Sequence, residues 1–139
     1  MNLITQPPSS HMCGHAVVAM LAGTTPERVA DVLAHDRPTT WTELYSVLFM
    51  FGVVCAPKLV PCFGPDDMAD VAVVALPSCT PAYGHWVLKI GGLVYDPARD
   101  EPYSVEALPF ELTPSSKVIT FATVRNRSAT VCTSTSQGR

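Results

Sequence analysis

The chain has no run of apolar residues approaching the roughly 18 that a membrane helix needs. Its first residues, MNLITQPPSSHM, offer neither a positive start nor an apolar stretch of signal-peptide length. No membrane partner is therefore expected, and the chain reads as soluble and, by default, cytoplasmic. Charge is also sparse. Only 15% of residues are Asp, Glu, Lys or Arg, the net charge is −3, and the nine basic residues are scattered. Without a basic stripe there is no footprint for a phosphate backbone, so nucleic acid is excluded as an expected partner. The five cysteines contain no CxxC pair and are odd in number, which fits a reducing compartment better than a disulfide framework.

Metal-ligand patterns are lacking too. His11, Cys13 and His15 alternate as a zinc site does, with Cys55, Cys62 or Cys79 as conceivable fourth ligands. Residues two apart on a helix point in different directions, however, so His11 and His15 read as polar neighbours of a site or as an exposed helix side. Asp66, Asp67 and Asp70 lack the Gly and distal Glu of a calcium loop. No metal and no cofactor are expected, and no motif speaks to oligomeric state.

What the chain does have is apolar material. With 47% hydrophobic residues in 139, it can bury a core without staples, and no linker or repeat divides it. One domain over 1–125 is expected, followed by a polar, aperiodic tail over 126–139. The segment MCGHAVVAMLAG predicts a helix stopped by Gly23, with Cys13 at its start. Thr24 and Glu27 have capping-box spacing before PERVADVLAH, and Thr40 and Glu43 repeat it before a helix ending at Gly52. Leu44, Val47, Leu48 and Phe51 share one face of that third helix. After Gly52 the texture changes to VVCA, VAVVALP, HWVLKI, LVYDP and KVITFATV, short strand-like runs cut by Pro and Gly. Residues 62–70 between them read as a loop or a single helical turn. Helices first and antiparallel strands afterwards predict an α+β domain.

The chemistry concentrates in GHWVLKIGGLVYDP. Gly91-Gly92 between apolar runs predicts a two-residue hairpin turn with Ile90 facing Leu93. Counting back, Val87 lies opposite Asp96 and His85 opposite Ala98, so His85 and Asp96 are diagonal neighbours about 7 to 8 Å apart at Cα. Trp86, Leu88, Ile90, Leu93 and Tyr95 occupy the other face and pin the hairpin to the core. An imidazole backed by a carboxylate is built to deprotonate something. The best candidate is Cys13, because helix N-terminal N–H groups stabilise a thiolate, and Gly14 beside it permits close approach of a substrate. Cys13 is then nucleophile, His85 base and Asp96 the residue that orients the ring. The developing oxyanion needs donors, supplied by the Cys13 backbone N–H and the Gln6 side-chain amide. Cys55, Cys62, Cys79 and Cys132 read as core or surface thiols.

This order of Gln, Cys-Gly opening an apolar helix, Gly-His-Trp-Val and Asp-Pro resembles the papain-like peptidases related to the bacteriocin-processing, double-glycine-leader enzymes. The resemblance spans about Gln6 to Pro97. It implies a papain-like fold and a bacterial or bacteriophage thiol peptidase acting on a peptide or protein through an acyl-thioester on Cys13. It carries over His85 as base, Asp96 as orienting acid and Gln6 as oxyanion donor. Gln6 stands seven residues before Cys13 where the family pattern has six. The same triad would also serve transglutaminase- or deamidase-like acyl transfer, and a silent papain-like domain would only bind peptide.

Overall fold

The computed structural model describes residues 1–56, 60–61, 64–76, 85–108 and 120–126, with residues 60 and 120–126 described by their backbone. Three helices come first: α1 (Cys13–Ala22), α2 (Pro26–Leu33) and α3 (Trp41–Met50). Helix α1 is apolar all round and buries every residue from Cys13 to Met20, so it is the central helix rather than a surface one. Gly23 closes it with φ +74, a left-handed conformation that a side chain resists.

Helix α3 begins on the expected capping box, in which Thr40 Oγ1 accepts from Glu43 N–H and Glu43 Oε1 from Thr40 N–H. Helix α2 corrects the expectation by one residue. Its N-cap is Thr25, whose Oγ1 accepts from Arg28 N–H, and Pro26 takes the first helical position. Pro at that position forces the residue before it out of the helical region, which makes Thr25 the cap and leaves Glu27 out of register for a box.

The strands are β1 (Val53–Cys55), β2 (Val60–Pro61), β3 (Val71–Leu76), β4 (His85–Ile90), β5 (Leu93–Tyr95), β6 (Tyr103–Ser104) and β7 (Thr120–Asn126). They form an antiparallel sheet in the order β1-β7-β3-β4-β5-β6, with β2 also paired to β7. The protein is an α+β fold. Short β2 and β6 had no signal beyond one or two residues. Asn126, assigned to the tail, closes β7 opposite Val53, and residues 127–139 lie outside the described residues. Cys62, Cys79 and Cys132 lie outside them as well.

Alternation along the strands divides two cores. Val73, Trp86, Leu88 and Tyr95 face the helices and pack with Val17, Val18, Val29, Leu44, Val47 and Leu48. Ala72, Val74, Leu76, Val87 and Val94 face the other way, under Met68 and Val105. Each fully buried Val or Leu here contributes about 1.5 to 3 kcal/mol relative to exposure. Leu93 departs from the expected pattern, being 44% exposed. It adjoins the turn, where the helix-side core has already thinned to a partly buried Ile90. Among the described residues no helix is long and apolar enough to cross a membrane.

Candidate active site

The hairpin register matches the count, with Ile90 opposite Leu93, Lys89 opposite Val94 and Leu88 opposite Tyr95. Gly91 alone of the two turn glycines has a positive φ, +59, the sign pattern of a type II′ turn. Continued past Tyr95, this register brings Asp96 to His85, and Nε2–H of His85 donates to Asp96 Oδ1 at 2.6 Å. Asp96 is 4% exposed, and its Oδ1 also accepts from Ala98 N–H at 2.9 Å. Arg99 Nε stands 3.6 Å from Asp96 Oδ2, with its guanidinium 4.9 Å from the centre of the Tyr103 ring. Asp96 is therefore a turn residue and a partner of the imidazole at once.

Helix α1 delivers Cys13 to the same place. Strand β5 ends at Tyr95, opposite Leu88, so among the described residues the start of β4 has no strand beside it on that edge. The N-terminus of α1 fills that position, and the Trp86 backbone N–H donates to Cys13 Sγ at 3.4 Å. That bond sets the sulfur beside the residue that follows His85, near enough for Cys13 to raise the pKa of the His85 ring. With Nε2 held by Asp96, Nδ1 is the nitrogen left for sulfur.

The electrostatics follow from these contacts. Burial pulls the His85 pKa down, but the hydrogen bonds to Asp96 and Cys13 and the charges of both outweigh it, raising it to about 9. For Asp96 burial pushes upward, while the His85 and Ala98 hydrogen bonds and the charges of His85 and Arg99 hold its carboxyl below the ordinary carboxylate range. The directions agree, and the pair favours imidazolium with carboxylate.

The first turn of α1 has no side-chain cap, because Met12 occupies the N-cap, whereas Thr25 and Thr40 cap α2 and α3. Its N–H groups, Cys13's included, are those expected to face an oxyanion. Gln6 is placed differently from the rest. Its Nε2 donates to the Ser10 carbonyl at 2.7 Å, its backbone N–H to the Pro97 carbonyl at 2.9 Å, and its Oε1 is buried without a partner. One amide hydrogen is thus committed within the loop, leaving the other for an incoming oxygen. The structure brings Cys13, His85 and Asp96 together, while the Gln6 hydrogen bonds go to Ser10 and Pro97. A groove of about 340 Å³ lies between Gln6 to Ser9 on one side and Pro97 to Asp100 on the other.

Two expectations change, and the one for Cys55 narrows. Gly14 does not open the way to a substrate: a Cβ there would run into Thr39 Oγ1 and lie 3.2 Å from Trp86 Cδ1, so glycine is what lets α1 seat. His15 is fully buried rather than on an exposed helix side, with Nε2 2.9 Å from the His35 carbonyl. Cys55 is a core thiol pushed up to about 11 by burial, hence inert. Among the described residues no cluster of three His, Cys, Asp or Glu could hold a metal ion. Sequence reasoning missed the Trp86 N–H and Arg99. Arg99 had a signal, standing three residues after Asp96 in a Pro turn, while the Trp86 bond depends on β5 ending early. No protein-family model matches the chain, and no curated protein does.

Proposed function

We propose that the chain is a papain-like thiol hydrolase that cleaves a peptide or isopeptide bond, related to the double-glycine-leader peptidases it resembles. The observation that carries this reading is the His85 ring hydrogen-bonded to the buried Asp96 carboxylate, with Cys13 Sγ held by the backbone N–H of the very next residue, Trp86. A structural histidine has no need of both a thiol and a buried carboxylate beside it.

In this reading the Cys13 thiolate attacks the substrate carbonyl carbon, and the carbonyl oxygen takes the negative charge toward the Cys13 N–H and Gln6. As the C–N bond breaks, the His85 imidazolium gives its Nδ1 proton to the leaving amine, and an acyl-thioester remains. Water then loses a proton to His85 and attacks the thioester, which releases the acid and restores the thiolate. Asp96 holds the ring and its charge through both steps. The groove lined by Gln6 and Asp100 flanks the proposed oxyanion donor and offers room for a peptide. A reducing cytoplasm suits a thiol that must stay free.

Iodoacetamide or a peptide aldehyde, followed by mass spectrometry, tests the reading. Rapid labelling at Cys13 that His85→Ala abolishes is the expected result, together with new peptide termini that appear beside the active chain and not beside Cys13→Ala. Slow labelling equal to that of an unactivated thiol overturns it.

A further inference from the structure

Residues 35–40, between α2 and α3, touch both carriers of the site without giving an atom to it. On one side His15, two residues after Cys13, donates Nε2–H to the His35 carbonyl at 2.9 Å. On the other side Trp86, the residue after His85, donates its indole N–H to the Thr39 carbonyl at 3.2 Å. Thr39 also closes on Gly14. The segment is itself anchored. His35 Nε2–H donates to Glu43 Oε2 at 2.9 Å, Arg37 N–H donates to His35 Nδ1 at 3.1 Å, and the Thr40 and Glu43 box fixes the start of α3.

His15 is informative because its burial is costly. The ring is fully buried and its Nδ1 has no partner, a cost that a leucine filling the same space would avoid, though it would leave the His35 carbonyl without its donor. What the imidazole adds is the bond to His35. We infer that residues 35–40 are a clasp that fixes the separation of Cys13 and His85, with His15 and Trp86 as its positioning residues. This rests on Cys13 and His85 being the reacting pair. Reaction geometry gives the clasp its leverage, because a displacement of about 1 Å costs on the order of 10²-fold in rate.

The test compares His15→Leu, Trp86→Phe and their double variant by circular dichroism, kcat and KM on a cleaved peptide, and the pH profile of Cys13 alkylation by iodoacetamide. Each single variant should remain folded, lower kcat by roughly 10- to 100-fold with KM little changed, and alter the alkylation profile. The double variant should lose no more than the worse single, since both bonds act through one segment. His15→Gln, which keeps a donor of similar reach, should recover most of the loss. Folded variants with a wild-type alkylation profile, or single effects that multiply in the double, overturn the clasp. Should His15→Leu fail to fold, Trp86→Phe and the contrast of His15→Gln with the shorter His15→Asn decide the matter by the same readouts. A wild-type Cys13 that labels no faster than a free thiol overturns the reading of the site, and with it the clasp.

Discussion

Two chains of polar groups cross this small protein, and they use histidine in opposite ways. Cys13, His85, Asp96 and Arg99 form one, at the open edge where β5 stops. His15, His35 and Glu43 form the other, running from the central helix to the start of α3. Burial lowers the pKa of both His15 and His85. His15 faces a carbonyl on one nitrogen and nothing on the other, so its pKa stays below the ordinary value. His85 faces a carboxylate and a thiol, and it rises to about 9. Burial decides the direction for His15, whereas at His85 the carboxylate and thiol outweigh it.

Removing the charge from the first chain is the most damaging change. Asp96→Asn should lower turnover by on the order of 10⁴-fold while the fold persists, because the ring loses the partner that holds its tautomer and charge. Steady-state kinetics beside circular dichroism would measure it, and an unchanged turnover number would reduce Asp96 to a turn residue. In the second chain Glu43→Gln keeps an acceptor for His35 and should cost about 1 kcal/mol or less in urea unfolding.

Gln6→Ala comes next, with an expected loss of roughly 10²- to 10³-fold in turnover and a smaller change in KM. Full activity would mean that Ser10 holds the amide permanently and that oxyanion donors come from α1 alone. Gly14→Ala attacks the seam between the chains, where the new Cβ meets Thr39 Oγ1. It should destabilise by about 1 to 3 kcal/mol, read as a lower urea midpoint.

The smallest effect is the most direct comparison of the two rings. The raised pKa of His85 contributes stability that is complete below about 6.5 and is lost as pH rises through about 9. The lowered pKa of His15 contributes stability present above 6.5 and lost as pH falls through its folded value. Thermal melts against pH should therefore fall on both sides. Asp96→Asn should flatten the alkaline fall, and His15→Gln the acid one. A variant that flattens the wrong limb would exchange the roles of the two histidines.

Much of this was legible in the chain, for reasons that differ by residue. Gly91-Gly92 sets the turn, strict alternation sets the register, and together they bring Asp96 to His85 by counting alone. The Thr40 and Glu43 box is equally local. Two neighbouring threonines misled at α2, although Pro26 alone selects Thr25. His15 looked peripheral when judged by its spacing from Cys13. The apolar surround of α1 carried the better signal, since a helix hydrophobic on every side buries whatever histidine it holds. The clasp was not legible, because it depends on main-chain carbonyls of His35 and Thr39, which any residue presents. The same holds for the Trp86 N–H at Cys13. Leu93 shows the limit of alternation, which assigns a face but not how far the opposing layer extends along it.

Strand β7 carries a consequence for how the molecule is made. It lies between β1 and β3, and β1 pairs with nothing else among the described strands. As the chain leaves the ribosome, the helices and the hairpin that bears His85 and Asp96 emerge well before residues 120–126. Until then β1 has no ladder, and β3, on which that hairpin leans, presents a bare edge. Contacts so distant in sequence form late, and a nascent or truncated chain would expose two strand edges to its neighbours. Cys13, His85 and Asp96 are therefore synthesised early, while the sheet that holds them steady closes with β7, the last of the described strands.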